Sequence, residues 1–171
     1  MRCNKNRSRL TSFILISFLI FNIGCNSKLE SELSEKDILN IKQLESDYVN
    51  GWFAQDQQNA VLKVFEDAAV FIPHHGDEPV IGLENLRKFF WPDGVGGIVH
   101  DFNHYPDAIE GNSRMAWIRG RFDIKYSWIN VSDTTTTINK GNYVLIARKQ
   151  ENSTWKIATF IFNDPLAEIE D

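Results

Sequence analysis

Apolar residues between positions 34 and 68 recur at helical spacing. Ser34 has the character of an N-cap, and Asp37 follows three residues later in an arrangement similar to a capping box. The next apolar residues lie three or four positions apart and form one stripe on a helix of about twenty residues. This stripe consists of Ile38, Ile41, Leu44, Tyr48 and Trp52. Asp56 then begins a shorter helix. Its apolar side consists of Val61, Val64, Phe65 and Ala68.

The pattern becomes typical of strands and turns after position 68. Residues 69–73 are aliphatic and aromatic and predict a strand, residues 74–79 predict a turn, and residues 80–81 predict a short second strand. A third helix follows Gly82. Its apolar stripe consists of Leu83, Leu86 and Phe90.

The second half of the chain predicts an antiparallel sheet. Four strands are expected, over residues 98–109, 114–129, 143–149 and 154–162. In the second of these, even positions are apolar or glycine and most odd positions are polar, so one face is expected in the core and the other in water. Gly120 within it predicts a bulge or bend. Helices followed by strands indicate an α+β fold, with helices on one face of a curved antiparallel sheet.

The first 24 residues have the pattern of an export signal. Basic residues precede an apolar run over 10–23 that is too short for a comfortable membrane span. Gly24 before Cys25 resembles the lipobox of bacterial lipoproteins, although Asn22 stands where that motif usually has Leu. The resemblance implies lipidation at Cys25 and, because Asn26 follows the Cys, retention in the bacterial outer membrane. The polar composition of the next residues predicts a tether over 25–33. An ordinary secretory signal or an uncleaved anchor stays open.

Composition excludes several classes of function. The formal charge of −5 argues against a nucleic-acid-binding surface. The two cysteines are Cys3 and Cys25, so the segment after them has no Cys for a disulfide, a thiolate metal site or a nucleophile. Twelve Phe, five Trp and four Tyr predict either a large core or an aromatic-lined cavity.

Residues 34–163 resemble the nuclear-transport-factor-2-like superfamily, and within it the SnoaL-like, ketosteroid-isomerase-like and domain-of-unknown-function 4440 members. The resemblance depends on the order and spacing of short segments at 51–56, 64–73, 80–82, 84–87, 141–146 and 155–157. It implies a cone-shaped α+β barrel in which the sheet wraps a long N-terminal helix and two shorter ones. It also implies a pocket between the long helix and the sheet, and a homodimer. The acidic residues 164–171 are expected to form a tail.

The resemblance also implies where isomerase chemistry would lie. Tyr48, eight residues before Asp56, keeps the spacing of the oxyanion-hole Tyr in ketosteroid isomerases. The catalytic base of those enzymes immediately precedes a Pro on the first strand, and here Ile72 precedes Pro73. An Ile side chain cannot move a proton, and residues 142–145, where the partner acid is expected, contain no carboxylate. Ketosteroid-isomerase chemistry is therefore not expected.

Other polar residues are weaker candidates for catalysis. His74 and His75 lie at a strand end, where one could act as an acid or base or simply face solvent. Asp123 faces water by strict alternation, although a bulge at Gly120 would turn it inward and make it a candidate.

His100 and His104 are expected on one face of a strand, with Asp101 nearby. Residues four apart on a strand are roughly 13 Å apart, too far to share a metal ion. A metal site would need another histidine from elsewhere, so neither a metal nor another cofactor is predicted.

We expect a membrane-anchored domain that binds a small apolar or amphipathic molecule, or a partner protein, without strong catalysis. The expected ligand contacts are Tyr48, Trp52, Ile72, Trp91, His104 and Tyr126. Two alternatives stay open. One is a lyase, isomerase or hydrolase, with Tyr48, His75 and Asp123 as candidate catalytic residues, and the other is a module for dimerisation or interaction.

Overall fold

Three helices and seven strands make up the part of the chain that the computed structural model describes, namely residues 31–74, 76–130, 133–164 and the backbone of 168–170. In chain order they are α1 (Glu35–Gly51), α2 (Gln57–Leu62), β1 (Phe65–Ile72), β2 (Val80–Ile81), α3 (Leu83–Phe90), β3 (Gly96–Gly111), β4 (Met115–Ile129), β5 (Thr134–Lys149), β6 (Trp155–Asn163) and β7 (Glu168–Glu170).

The strands form one curved open sheet in the order β2-β1-β6-β5-β4-β3, and β7 pairs with the first part of β5. Long antiparallel pairings join β3 to β4, β4 to β5 and β5 to β6, whereas β1 pairs with β6 in parallel. The even positions 116, 118, 120 and 122 of β4 are buried beneath the helices, on what we call the inner face of the sheet. The predicted α+β fold, with helices against one face of a curved sheet, is confirmed.

Helix α1 begins as its sequence predicts and is held to the sheet by Asp37. The Ser34 hydroxyl accepts a hydrogen bond from the Asp37 backbone N–H at 3.1 Å, as in a capping box. The Asp37 carboxylate accepts hydrogen bonds from Lys149 Nζ at 2.6 Å and from Trp155 Nε1 at 3.1 Å. The bond from Lys149 lowers the pKa of Asp37 to about 2, although burial opposes the shift. The first turn of α1 is therefore attached to β5 and β6.

Three boundaries differ from the sequence-based expectation because long-range pairing decides them. Phe65 begins β1 instead of extending α2, since the Val64 carbonyl accepts a hydrogen bond from Ile157 of β6 at 2.8 Å. Strand β5 begins at Thr134, within the expected connection, because it pairs there with the end of β4. Residues 168–170, expected in the tail, pair with β5 as β7.

The irregularity expected at Gly120 lies on the neighbouring strand. Gly120 pairs with Pro106, and the register shifts between Pro106 and Ala108, which leaves Asp107 as the extra residue. A Cβ atom at Gly120 would collide with the Tyr105 carbonyl oxygen and would lie 2.9 Å from the Pro106 Cα. Both obstacles are backbone atoms, so the close approach of β3 to β4 at this point requires glycine.

Gly120→Ala should therefore destabilise the domain by about 2–3 kcal/mol, because the β3 backbone must move to admit the methyl group. The measurement is the free energy of unfolding in urea. Gly97→Ala is the matched control, since its Cβ would make only ordinary contacts, with the Trp128 ring at 3.6 Å and the Ser127 carbonyl oxygen at 4.0 Å. Equal stability of the two variants would contradict this account of Gly120.

Candidate functional site

A cavity of about 380 Å³ lies between the helices and the inner face of the sheet. This volume is near the lower end of the range for small-molecule sites. Ile98 and Phe89 line the cavity with 48% and 40% of their surfaces exposed, so they mark its mouth. Most other lining side chains are aromatic. They include Tyr48, Trp52, Phe71, Phe90, Trp91, Phe102, Phe122, Tyr126, Trp128, Phe160 and Phe162.

The wall near the ends of α1 and α3 is fixed by two tryptophans and Gln57. The Trp52 and Trp91 rings stack with centroids 5.3 Å apart. Trp91 Nε1 donates a hydrogen bond to Gln57 Oε1 at 2.9 Å, and Gln57 Nε2 donates one to the Trp52 carbonyl at 2.5 Å. The end of α1, the start of α2 and the end of α3 are therefore joined into one aromatic wall.

Tyr48 lies deep in the cavity on the same face of α1. Its ring is within 5.2–6.3 Å, centroid to centroid, of five aromatic rings, two of which belong to Trp52 and His104. Burial raises the pKa of Tyr48, and the Trp52 indole opposes this only in part. The Tyr48 phenol is therefore neutral at physiological pH.

A buried carboxylate lies directly behind the cavity. Glu45, one turn before Tyr48, accepts hydrogen bonds from the Tyr143 hydroxyl and, at 3.3 Å, from His104 Nδ1. The side chains of His104 and Glu45 are only 3% and 7% exposed. The His104 ring also stacks on Tyr143, with centroids 4.2 Å apart. Burial and the hydrogen bond to Glu45 together raise the pKa of Tyr143.

Sequence reasoning missed Glu45 and Tyr143. The signal for Glu45 was present, since it lies four residues after Ile41 and three before Tyr48, on the apolar side of the predicted helix. A charged residue at such a position needs a buried partner. The partner Tyr143 is 98 positions away, and no local pattern indicates it.

Two polar atoms of the cavity lining, His104 Nε2 and Asn139 Oδ1, are buried and make no hydrogen bond with any described residue. The buried indole N–H of Trp52 is directed at the Tyr48 hydroxyl. The amide oxygen of Asn139 can only accept a hydrogen bond. The cavity therefore combines an aromatic surface with a few unsatisfied polar groups.

Five of the six predicted ligand contacts line this cavity, namely Tyr48, Trp52, Trp91, His104 and Tyr126. Ile72 does not, and this corrects the expectation for it. Ala69 and Phe71 of β1 are buried towards the core, so strand alternation directs Ile72 to the opposite face. The apolar residue at this place in the cavity is Phe71.

The other candidates lie apart from the cavity or outside the described residues. Asp123 is on the outer face of the sheet, where its carboxylate accepts a hydrogen bond from Asn103 Nδ2 at 3.1 Å. The register shift opposite Gly120 does not turn Asp123 inward, because the extra residue is on β3 and not on β4. His75 and Cys25 lie outside the described residues. His74 lines the cavity and pairs with Asp164 at 2.5 Å.

His100 and His104 face opposite sides of the sheet, contrary to the sequence-based expectation. The register shifts between Val99 and Asp101, so His100 is the extra residue of a bulge and the alternation is broken there. His100 Nε2 bonds Ser127 Oγ at 2.7 Å on the outer face, whereas His104 points inward. Within the described residues, no group of three or more His, Cys, Asp or Glu side chains is placed to hold a metal ion.

Helices α1, α2 and α3 are each too short or too polar to cross a membrane, and the described residues contain no other helix.

Neither a family model nor a curated protein matches this chain. Solved structures do match it in fold. A ketosteroid isomerase-like protein from Erwinia carotovora atroseptica aligns with a TM-score of 0.62 at 16% identity, over 77% of this chain and 98% of that one. A conserved protein from Planctomyces limnophilus aligns with a TM-score of 0.65 at 19% identity, over the same shares.

A nuclear-transport-factor-2-like protein of unknown function from Shewanella oneidensis aligns with a TM-score of 0.52 at 18% identity, over 74% of this chain and 98% of that one. The chain therefore has the nuclear-transport-factor-2-like fold. At such identities the likeness shows the fold alone, because one fold hosts many functions.

The raised pKa of Tyr143 predicts a loss of stability in alkali. Below pH 10 the phenol is protonated in both states, whereas above pH 10 the unfolded chain releases the proton and the folded protein keeps it. The free energy of unfolding should then fall by up to about 1.4 kcal/mol per pH unit for this group. Tyr143→Phe should make the decline shallower when urea unfolding is measured between pH 8 and 11.5.

The control for this experiment is Ile157→Val, a change in the buried core without an ionisable group. It should lower stability by about 1 kcal/mol at every pH. An alkaline decline of the same slope in Tyr143→Phe and in the unsubstituted protein would contradict the role of the buried phenol.

Proposed function

We propose that this domain binds a small, uncharged and largely aromatic molecule in the cavity. The observation that carries the proposal is the composition of the lining. Its side chains are predominantly aromatic rings, and within the described residues it includes no Asp, Glu, Lys or Arg. A charged ligand would lose its hydration there without gaining a partner, whereas an apolar ring would gain burial and ring contacts.

The lining also supports binding in preference to ketosteroid-isomerase chemistry. That reaction needs a carboxylate base at the end of the first strand, and here Phe71 faces the cavity while Ile72 faces away from it. Neither side chain can accept a proton. The polar groups that do reach the cavity, Gln57, His74, His104 and Asn139, suit hydrogen bonding to an uncharged ligand.

Filling the cavity should weaken the binding of a neutral aromatic dye such as N-phenyl-1-naphthylamine. Ile124→Trp replaces an aliphatic side chain of the lining with a bulky indole ring. The affinity for the dye, measured by fluorescence titration, should fall at least tenfold. Val144→Trp is the matched control, because Val144 lies on the outer face and is 37% exposed. This variant should bind the dye with the same affinity as the unsubstituted protein. Equal binding by both variants would place the dye elsewhere and contradict the proposal.

We further propose that the domain is attached to the bacterial cell envelope through lipid on Cys25. The basic and apolar segments before Gly24 and Cys25 support this attachment. More than one acyl chain is needed for firm membrane attachment, and diacylglyceration of the thiol supplies two.

Cys25→Ser should move the full-length protein from the membrane fraction to the soluble fraction and abolish labelling by radioactive palmitate. Cys3→Ser is the matched control, because it removes the other cysteine of the chain and leaves Gly24 and Cys25 unchanged. Retention of label in Cys25→Ser, or loss of label in Cys3→Ser, would contradict the assignment.

A further inference from the structure

One buried amide in the lining of the cavity lacks hydrogen-bond partners. Asn139 of β5 is 6% exposed and lines the cavity. Its Oδ1 atom is buried and accepts no hydrogen bond from any described residue. Its Nδ2 atom donates none to a described residue either. Buried side-chain amides are normally hydrogen-bonded, so an amide without partners in the wall of a cavity indicates that a ligand supplies them.

The register of the sheet places this amide within an apolar wall. Asn139 pairs with Ile124 of β4, and Ile124 pairs with Phe102 of β3, so the three residues form one row across the inner face. The next inner position of β5 is Gly141, and the ring of Phe122 lies over it, since a Cβ atom at Gly141 would be 2.9 Å from Phe122 Cε1. The amide is therefore bordered by aliphatic and aromatic side chains, and no charged side chain of the described residues lines the cavity.

The primary amide of Asn139 holds a donor and an acceptor on one planar group. Because both atoms belong to the same side chain, they reach the same ligand group without the help of a second residue. A ligand that satisfies both must carry an acceptor and an N–H donor next to each other on one edge. A cyclic amide, or lactam, has this arrangement, because its ring holds the N–H and the carbonyl oxygen on the same side. An open-chain amide in its usual trans form directs them to opposite sides.

Other uncharged groups satisfy the amide less completely. A ketone, an ester or a lactone accepts from Nδ2 but leaves Oδ1 without a donor, and a single hydroxyl oxygen cannot align with both atoms at once. An unsatisfied polar atom in a buried site costs binding free energy, so the cavity should discriminate between these ligands.

We propose that this cavity recognises a planar aromatic lactam, whose N–H donates to Asn139 Oδ1 and whose carbonyl oxygen accepts from Asn139 Nδ2. Asn139 is then the residue that determines specificity, and the surrounding rings bind the flat body of the ligand. The inference depends on the proposed function, since it names the class of ligand for the same cavity.

Two probes of the same shape test the inference by calorimetric titration. They are 2-quinolone, a bicyclic lactam, and coumarin, in which a ring oxygen replaces the ring N–H. The ring oxygen of coumarin would face Asn139 Oδ1 as acceptor against acceptor. The unsubstituted protein should therefore bind 2-quinolone about tenfold or more tightly than coumarin.

Asn139→Leu replaces the amide with an apolar side chain of similar size. The N–H of 2-quinolone then leaves water without gaining an acceptor, so this variant should bind coumarin at least as tightly as 2-quinolone. Asn142→Leu is the matched control, because Asn142 is exposed on the outer face of the same strand. This control should keep the preference of the unsubstituted protein for 2-quinolone.

The stability of Asn139→Leu gives a second, independent measurement. Since the substitution removes a buried amide without partners, the urea midpoint of the variant, measured without ligand, should be no lower than that of the unsubstituted protein. A clearly lower midpoint would show that Asn139 is satisfied within the fold and would overturn the inference.

The results separate this inference from the proposed function. If N-phenyl-1-naphthylamine and both probes fail to bind, the aromatic ligand proposed above is wrong. If the dye binds but the two probes bind equally or not at all, only the lactam recognition is overturned. The same holds if Asn139→Leu keeps the preference for 2-quinolone over coumarin.

Discussion

The structure depends on the hydrogen bonds of one buried carboxylate, that of Glu45. Glu45 would be costly in an apolar core by itself, and it is accommodated because Tyr143 and His104 both donate hydrogen bonds to it. These bonds connect α1 to β5 and β3. Together with Asp37, which binds Lys149 and Trp155 at the start of the helix, they set how α1 lies across the sheet.

The position of α1 in turn creates the cavity. Tyr48 and Trp52 follow Glu45 on the same helix face, so the polar attachment directs both rings over the inner face of the sheet. The same bond turns His104 so that its second nitrogen faces the cavity. One hydrogen-bonded group therefore contributes both to the stability of the fold and to the chemistry of the site.

Beside the cavity, strand β4 separates charged residues from apolar residues across the thickness of the sheet. Asp123 and Arg121 of β4 are on the outer face, whereas Phe122 and Ile124 of the same strand line the cavity or pack beside it. Successive side chains of a strand point to opposite faces of the sheet, so the order of residues along β4 is enough to produce this separation. Since the fold is shared by proteins with different functions, the conclusions about binding depend on these particular residues and not on the fold.

Local spacing in the sequence determined which side chains share a face. It was sufficient for the cap at Ser34, the stripe on α1, the alternation in β4, the β5–β6 hairpin and a few of the aromatic residues of the cavity. The tertiary structure alone decided which faces meet and where pairing begins. Glu45 lies 59 and 98 positions from its two partners, and the bulge at His100 depends on the register with β4. The reason is physical: periodicity follows from backbone geometry within a few residues, whereas hydrogen-bond partners and register follow from contacts between distant segments.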